Sequence, residues 1–402
     1  MPTALAVTYG GGHVTMVIPV VTELRKRPDW EVRVLGLTMA APALEAAGIA
    51  ALGFRDLVTA GDADAVAKGA ELAAQHHREG SGISREESNA YLGLSYADLE
   101  SRVGIEEASR SFRELGRHAF LPLGPLERLL DRIRPDVVIA TDSLRAEQAA
   151  ICVARRRGIP SVCMVSLFGL DWDSVCLRQA DYADRVTVMS TWVRDYLVSL
   201  GRRPGDVVVT GNPAFDRLGR PGLADRGASF RAERGWDGRK VVLWASQPQP
   251  AEELPPKILE TLLRLVESHS DWHLVYRPHP NEPALALPPH ARVSRSGREE
   301  DLGVLLHAVD VAVVMTTTVG IEAALVGRPL VKICLSPFDR YAPYERMQLA
   351  LPVHRLEDLE SRLAAALSDS PESRRLAEGR TRFPPPGGAA VRVADVIESL
   401  AS

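Results

Sequence analysis

Four short stretches carry side chains whose types and spacing could do chemistry. Tyr9-Gly10-Gly11-Gly12-His13 sets an imidazole directly behind three glycines. A free imidazole titrates near pH 6.5, so it can take up a proton at neutral pH, as a general base must. Asp142 follows an apolar run, and a carboxylate there could fix the tautomer of such a ring and stabilise the cation it becomes. Arg277-Pro278-His279-Pro280-Asn281 offers a guanidinium and a second ring, and Thr316-Thr317-Thr318 offers hydroxyls and backbone N–H groups, both suited to a phosphate. Gly320 allows a tight path into a helix, whose start favours an anion by roughly 0.3–2 kcal/mol. Glu322, inside that helix, could accept hydrogen bonds from two ribose hydroxyls. Plainer roles stay open: a histidine bonded to backbone, threonines that cap a helix, a first-turn acid, a surface arginine, a histidine fixed between two prolines.

The elements around these stretches alternate. A strand at Thr3–Thr8, the glycine loop and a helix over 14–27 open a doubly wound α/β domain, and Pro19 makes that helix start late or kink. Further apolar runs at 32–37, 137–140, 161–167, 186–189 and 207–210 read as buried parallel strands, with helices at 42–47, 146–157 and 192–200. Asp142 then sits at the carboxyl end of a strand, where open α/β sheets bind ligands. A second α/β half follows, with strands at 240–246, 273–277, 309–315 and from 330, and helices at 256–267 and 321–326. Between residues 61 and 130 the pattern turns charged and helical, like an insertion, with a Ser-Gly-rich middle that suggests a mobile loop of the kind that often covers a binding site. Tyr91, Leu92, Leu94, Tyr96 and Phe120 there form either a pocket for an apolar acceptor or the core of a helical insertion. His76 and His77 are adjacent and so point apart on a helix, which argues for a solvated face and against a metal site.

The chain has 402 residues, 46% of them hydrophobic, enough for two domains of ordinary size. A net charge of -4 gives no field to hold nucleic acid or an anionic membrane. Cys152, Cys163, Cys176 and Cys334 show no metal-binding spacing and read as reduced thiols. No apolar run reaches the roughly 18 residues of a membrane span and no leader pattern opens the chain, so a cytoplasmic location is expected.

Taken together, the motifs resemble glycosyltransferases of the GT-B architecture, over nearly the whole chain. Gly11-Gly12-His13-Val14 with Pro19 and Leu24 is similar to the opening of nucleotide-sugar-dependent members, and the resemblance implies His13 as catalytic base and Gly11 and Gly12 as its phosphate or acceptor loop. Asp136-Val137-Val138 through Asp142, then Gly158-Ile159-Pro160, resembles the block whose aspartate orients that base. Glu322-Ala323 with Gly327-Arg328-Pro329-Leu330 resembles the donor signature, with Glu322 on ribose. Arg277, His279, Thr316, Thr317, Thr318 and Gly320 are then expected on the donor nucleotide, and Asp339-Arg340 on its sugar. Three threonines stand where many relatives carry His or Ser before Gly-Gly, and Arg277-Pro278-His279-Pro280-Asn281 looks like capsule-type transferases using CMP donors and hydrolysing UDP-N-acetylglucosamine 2-epimerases. The resemblance implies two Rossmann-like doubly wound domains facing a cleft: an acceptor domain at 1–216, a linker at 217–239, a donor domain at 240–385 and a helix at 386–402 that returns to the first domain. It implies metal-independent, inverting transfer from a nucleotide-sugar to a small-molecule, lipid or glycan acceptor by a monomer or homodimer, without a cofactor; the alternatives are a hydrolysing UDP-N-acetylglucosamine 2-epimerase, a CMP-sugar-dependent capsule-type transferase, and a nucleotide-sugar-binding protein without turnover.

Overall fold

The computed structural model describes residues 1–77, 82–170, 174, 177–282 and 285–401. Residues 78–81, in the Ser-Gly-rich middle of the insertion, and Cys176 lie outside these. The chain forms two compact units, one of Met1–Ala214 with Gly388–Ser402 and one of Phe215–Gly387.

In the first unit, β1 (Thr3–Thr8), β2 (Glu31–Gly36), β3 (Val137–Thr141), β4 (Ser161–Met164), β5 (Arg185–Val188) and β6 (Val207–Val209) make one sheet in the order β2-β1-β3-β4-β5-β6. Every pairing is parallel. Helices cover both faces of such a sheet, which is why its strands are near-continuous apolar runs. The chain reverses direction across the sheet between β1 and β3, so the loops leaving those two strands sit side by side at the carboxyl edge. The helix Gly12–Leu24 starts at once after the glycines, with Pro19 inside it. Its Val17, Val21 and Leu24 share a core with Val393, Ala394 and Ile397 of the last helix, Ala389–Ala401.

Residues 61–130 supply the helices Ala63–His76, Arg85–Val103 and Ile105–Leu115 and the start of Leu123–Ile133. The first two approach so closely that a Cβ on Gly69 would lie 1.9 Å from the Asn89 carbonyl oxygen, and one on Gly93 2.1 Å from that of Ala65. Tyr91 packs edge-on against Phe54 and Phe120, and Phe112 stacks on Phe120. The insertion therefore has an aromatic core of its own. His76 does not project into solvent alone: its ring meets Phe112 edge-on, while His77 Nδ1 lies 2.8 Å from Ser88 Oγ.

The second unit repeats the plan with β7 (Lys240–Ala245), β8 (Trp272–Arg277), β9 (Val293–Arg295), β10 (Val311–Val314), β11 (Leu330–Ile333) and β12 (Leu351–Val353), all parallel, in the order β12-β11-β10-β7-β8-β9. Here the reversal falls between β7 and β10. Trp244, stacked on Tyr276, and Ile258, Leu262 and Val313 centre the core. The stretch 217–239, expected as a linker, instead folds into this unit. It carries the helix Leu223–Glu233, buries Trp236, and ties Arg231 to the Ala308 carbonyl at 2.7 Å and to Asp310 at 2.9 Å. Its polar composition hid a segment whose arginines pair with carboxylates and carbonyls of this unit, Arg217 with Glu322, Arg226 with Asp301 and Arg234 with Glu300 among them.

Candidate active site

Each unit has a cluster of polar groups where its sheet reverses. In the first, β1 ends at Thr8 and Gly11 turns the chain with φ 68°, ψ -137°, a conformation costly for any side chain. Gly12 opens the helix with open space around its Cα. His13 follows in the first turn, and its Nδ1 lies 2.6 Å from Thr141 Oγ1 at the end of β3. Thr141 has one hydroxyl proton and gives it to Glu147 Oε2. That carboxylate also takes the backbone N–H of Tyr9 on Oε1 and that of Thr141 on Oε2, each at 2.7 Å. With the threonine proton committed, Nδ1 must be the donor to Oγ1, which leaves the lone pair of neutral His13 on Nε2. Burial raises the pKa of the fully buried Glu147, while the neighbouring imidazole and the three donors pull it back.

The expected partner of His13, Asp142, is elsewhere. Its Oδ1 accepts from Ser166 N at 2.9 Å and its Oδ2 from Ser174 Oγ at 2.6 Å, so it pins the segment after β4. A side chain at 142 leaves the strand end on the opposite side from 141, and the ring reaches 141. Glu147 left a trace in the sequence: a carboxylate between Ala146, Ala149 and Ala150 on a helix face that is wholly buried needs donors to be there.

Arg145 precedes that helix with φ 68°, ψ -121°, a strained backbone for a residue with a Cβ, and holds its guanidinium 4.4 Å from the centre of the Tyr9 ring. Tyr9 and Tyr91 join through their hydroxyls at 3.1 Å. Tyr9, Gly11, His13, Tyr91, Arg117 and Arg145 are among the residues lining a cavity of about 600 Å³ within this unit. Tyr91 and Leu92 thus belong to a core and a cavity wall at once.

In the second unit, Gln247 after β7 clamps the loop after β10: Thr316 N donates to its Oε1 at 3.0 Å and its Nε2 donates to Thr316 Oγ1 at 2.6 Å. The Thr317 carbonyl accepts from the buried Tyr344 hydroxyl at 2.7 Å, and Thr318 leads into the helix Val319–Leu325. Gly320 lies inside that helix. It is small because a Cβ there would come within 2.9 Å of the Tyr344 ring, rather than to permit a turn. Glu322 is buried and paired with Arg217; burial pushes its pKa up and Arg217 and Arg277 draw it down. Arg277, at the end of β8, is itself half-buried and donates to Ser296 Oγ at 2.8 Å and to the Glu300 carbonyl at 3.2 Å. His279 Nδ1 accepts the Asn281 N–H at 3.1 Å, so the neutral ring carries its proton on Nε2, a donor suited to phosphate oxygen. Arg277, Glu322, Arg217 and the threonine loop therefore come together.

Asp339 and Arg340 make local contacts. Asp339 Oδ1 lies 2.7 Å from the ammonium of buried Lys332, and Arg340 stacks 4.6 Å over the adjacent Tyr341 ring. Arg217, Gln247 and Tyr344 were not legible as site residues, because nothing near them in sequence marks the partners they meet.

No family model matches the sequence, and no curated protein matches it. Solved structures do. The chain is similar to the UDP-GlcNAc 2-epimerase from Neisseria meningitidis bound to UDP-GlcNAc, with a TM-score of 0.60, 13% identity, and 99% of this chain and 100% of that one covered. It is similar to the calicheamicin glycosyltransferase, with a TM-score of 0.62, 15% identity and coverage of 100% and 98%. A glycosyltransferase of kitacinnamycin gives 0.61, 16% identity and full coverage of both chains. The two-domain α/β fold is thus the GT-B fold these enzymes share.

Proposed function

We propose that the chain is an inverting glycosyltransferase that moves a sugar from a nucleotide-sugar onto an acceptor hydroxyl. The observation that carries this reading is the ordered chain Glu147–Thr141–His13, which leaves a lone pair on Nε2 of a ring lining a substrate-sized cavity. The acceptor O–H proton passes to Nε2, its oxygen bonds the anomeric carbon, and the carbon–phosphate oxygen bond breaks to release the nucleotide. Glu147 stabilises the resulting imidazolium through Thr141. The second unit grips the donor: Arg277, His279 and Thr316–Thr318 meet the phosphate charge without calling on a metal, and Glu322 takes the ribose. Likeness to an enzyme solved with UDP-GlcNAc supports a UDP-sugar as donor.

In the test, His13→Ala lowers transfer by roughly 10²–10⁴-fold while UDP binding by calorimetry is unchanged. Full turnover by that variant would sink the reading.

A hydrolysing 2-epimerase is the second reading, favoured by Arg277-Pro278-His279-Pro280-Asn281 and by the several UDP-GlcNAc 2-epimerases among the structural neighbours. Deuterium uptake at C2 of UDP-GlcNAc in heavy water, without any acceptor, would select it. A CMP-sugar transferase is separated by a thermal-shift comparison of CMP and UDP, since the cognate nucleotide at 100 times its Kd adds about 2.7 kcal/mol.

A further inference from the structure

We propose that Cys334, Glu345 and His354 form a binding site for a zinc-type divalent cation at the carboxyl ends of β11 and β12. The proposal is independent of the reaction above. Parallel register pairs Ile333 with Val353, and Cys334 N donates to the Val353 carbonyl at 2.9 Å, so the next residues, Cys334 and His354, emerge side by side from adjacent strands. Glu345 returns to them from the intervening loop.

One ligand atom from each residue falls within a span of 4.8 Å. Cys334 Sγ lies 3.5 Å from Glu345 Oε2, and His354 Nε2 lies 4.0 Å from the same oxygen. Zinc bonds of about 2.3 Å to sulfur and 2.0–2.2 Å to nitrogen and oxygen give tetrahedral edges of about 3.3–3.6 Å. The sulfur–oxygen edge already has that length. The oxygen–nitrogen edge of 4.0 Å and the sulfur–nitrogen edge, which lies within 4.8 Å, both shorten by movement of a His354 side chain that is 64% exposed. Exposure also leaves the fourth position to water. A thiolate and a carboxylate would balance the charge of a divalent ion, and thiolate with imidazole favours zinc over magnesium or calcium.

Neighbouring contacts fix the backbone of the loop that carries Glu345. The ammonium of buried Lys332 donates to the Ala342 carbonyl at 2.7 Å and pairs with Asp339, and Tyr344, next to Glu345, is buried and bonded to Thr317. The rival use of such a trio, a cysteine nucleophile with its base, fits poorly. The acceptors within reach of the thiol are Glu345 Oε2 and the Lys332 carbonyl, and the imidazole is not hydrogen-bonded to it.

The test uses the full chain, stripped with chelator and kept reduced, then titrated with Co²⁺. One equivalent is expected to bind, with tetrahedral d–d bands and a thiolate charge-transfer band, both bleached by Zn²⁺. His354→Ala, at an exposed position, should weaken Co²⁺ at least tenfold, and Cys334→Ser should remove the charge-transfer band. If Cys334→Ser does not fold, Glu345→Gln replaces it with the same expected weakening. Absence of stoichiometric uptake, unchanged affinity in His354→Ala, or a charge-transfer band that survives Cys334→Ser would each overturn the site.

Discussion

Thr141 has a single hydroxyl proton, and where it goes decides what His13 can do. Thr141→Val keeps the shape and removes the relay, so transfer should fall by about 10²-fold with UDP affinity unchanged, and Thr141→Ser should restore most of it. A rate that Val leaves intact would show that the ring is oriented by something else. At the other cluster, Arg217 offsets a buried carboxylate. Burial already raises the Glu322 pKa, and Arg217→Met raises it further. A carboxyl whose folded pKa is raised is tolerated below its unfolded value and costs stability as pH climbs through the folded one. Unfolding free energies of Arg217→Met and the parent from urea titrations should therefore agree near pH 4 and separate to roughly 2–4 kcal/mol by pH 8. The double variant Arg217→Met, Glu322→Gln should close that gap. The sequence offered Asp142 as the obvious partner for His13, and two residues settle why it was misleading. Alternation along β3 sends 141 and 142 to opposite sides, and Glu147, in the first turn of the next helix, comes back beside the strand end.

At the scale of elements, the helices Ala63–His76 and Arg85–Val103 touch through Gly69 and Gly93, and the second of them also carries Tyr91 and Leu92 to the cavity wall. Gly93→Ala drives a methyl into a carbonyl oxygen, and should cost roughly 3 kcal/mol and loosen acceptor binding more than UDP binding. Equal losses of both would break the link between this contact and the cavity. On β8, His273 is 4% exposed, lies 2.7 Å from Ser294 Oγ and packs on Trp236; burial holds its pKa down at about 4. A lowered histidine gives stability that is whole above the unfolded value near 6.5 and is lost as pH falls towards 4. His273→Phe should flatten that slope, worth up to roughly 3 kcal/mol, in denaturation series between pH 7 and pH 4. Long apolar strands such as β1 and β3 were readable because a doubly covered sheet demands them. The edge strands β9 and β12 were not: three residues each, with Ser294 and Pro352 at their centres, leave no run to read.

Across the whole molecule, the doubling of the α/β pattern was legible, while the assignment of 217–239 was not, since arginines that find their carboxylate partners far along the chain look like a linker. The final helix completes the first unit, with Val393, Ala394 and Ile397 in its core and Arg27 tied to Asp395 and Glu398. Deleting residues 388–402 strips apolar burial worth about 1.5–3 kcal/mol for each large side chain. Hydrogen exchange should then rise across β1 to β6 and stay unchanged across β7 to β12; a uniform rise would refute the division of labour. The same division bears on synthesis. A ribosome finishes Phe215–Gly387 before it has made the last piece of the lobe it started with. The later-born lobe can thus close its sheet first while the earlier one waits unsealed, and damage near the carboxyl terminus surfaces as misfolding of the amino-terminal half.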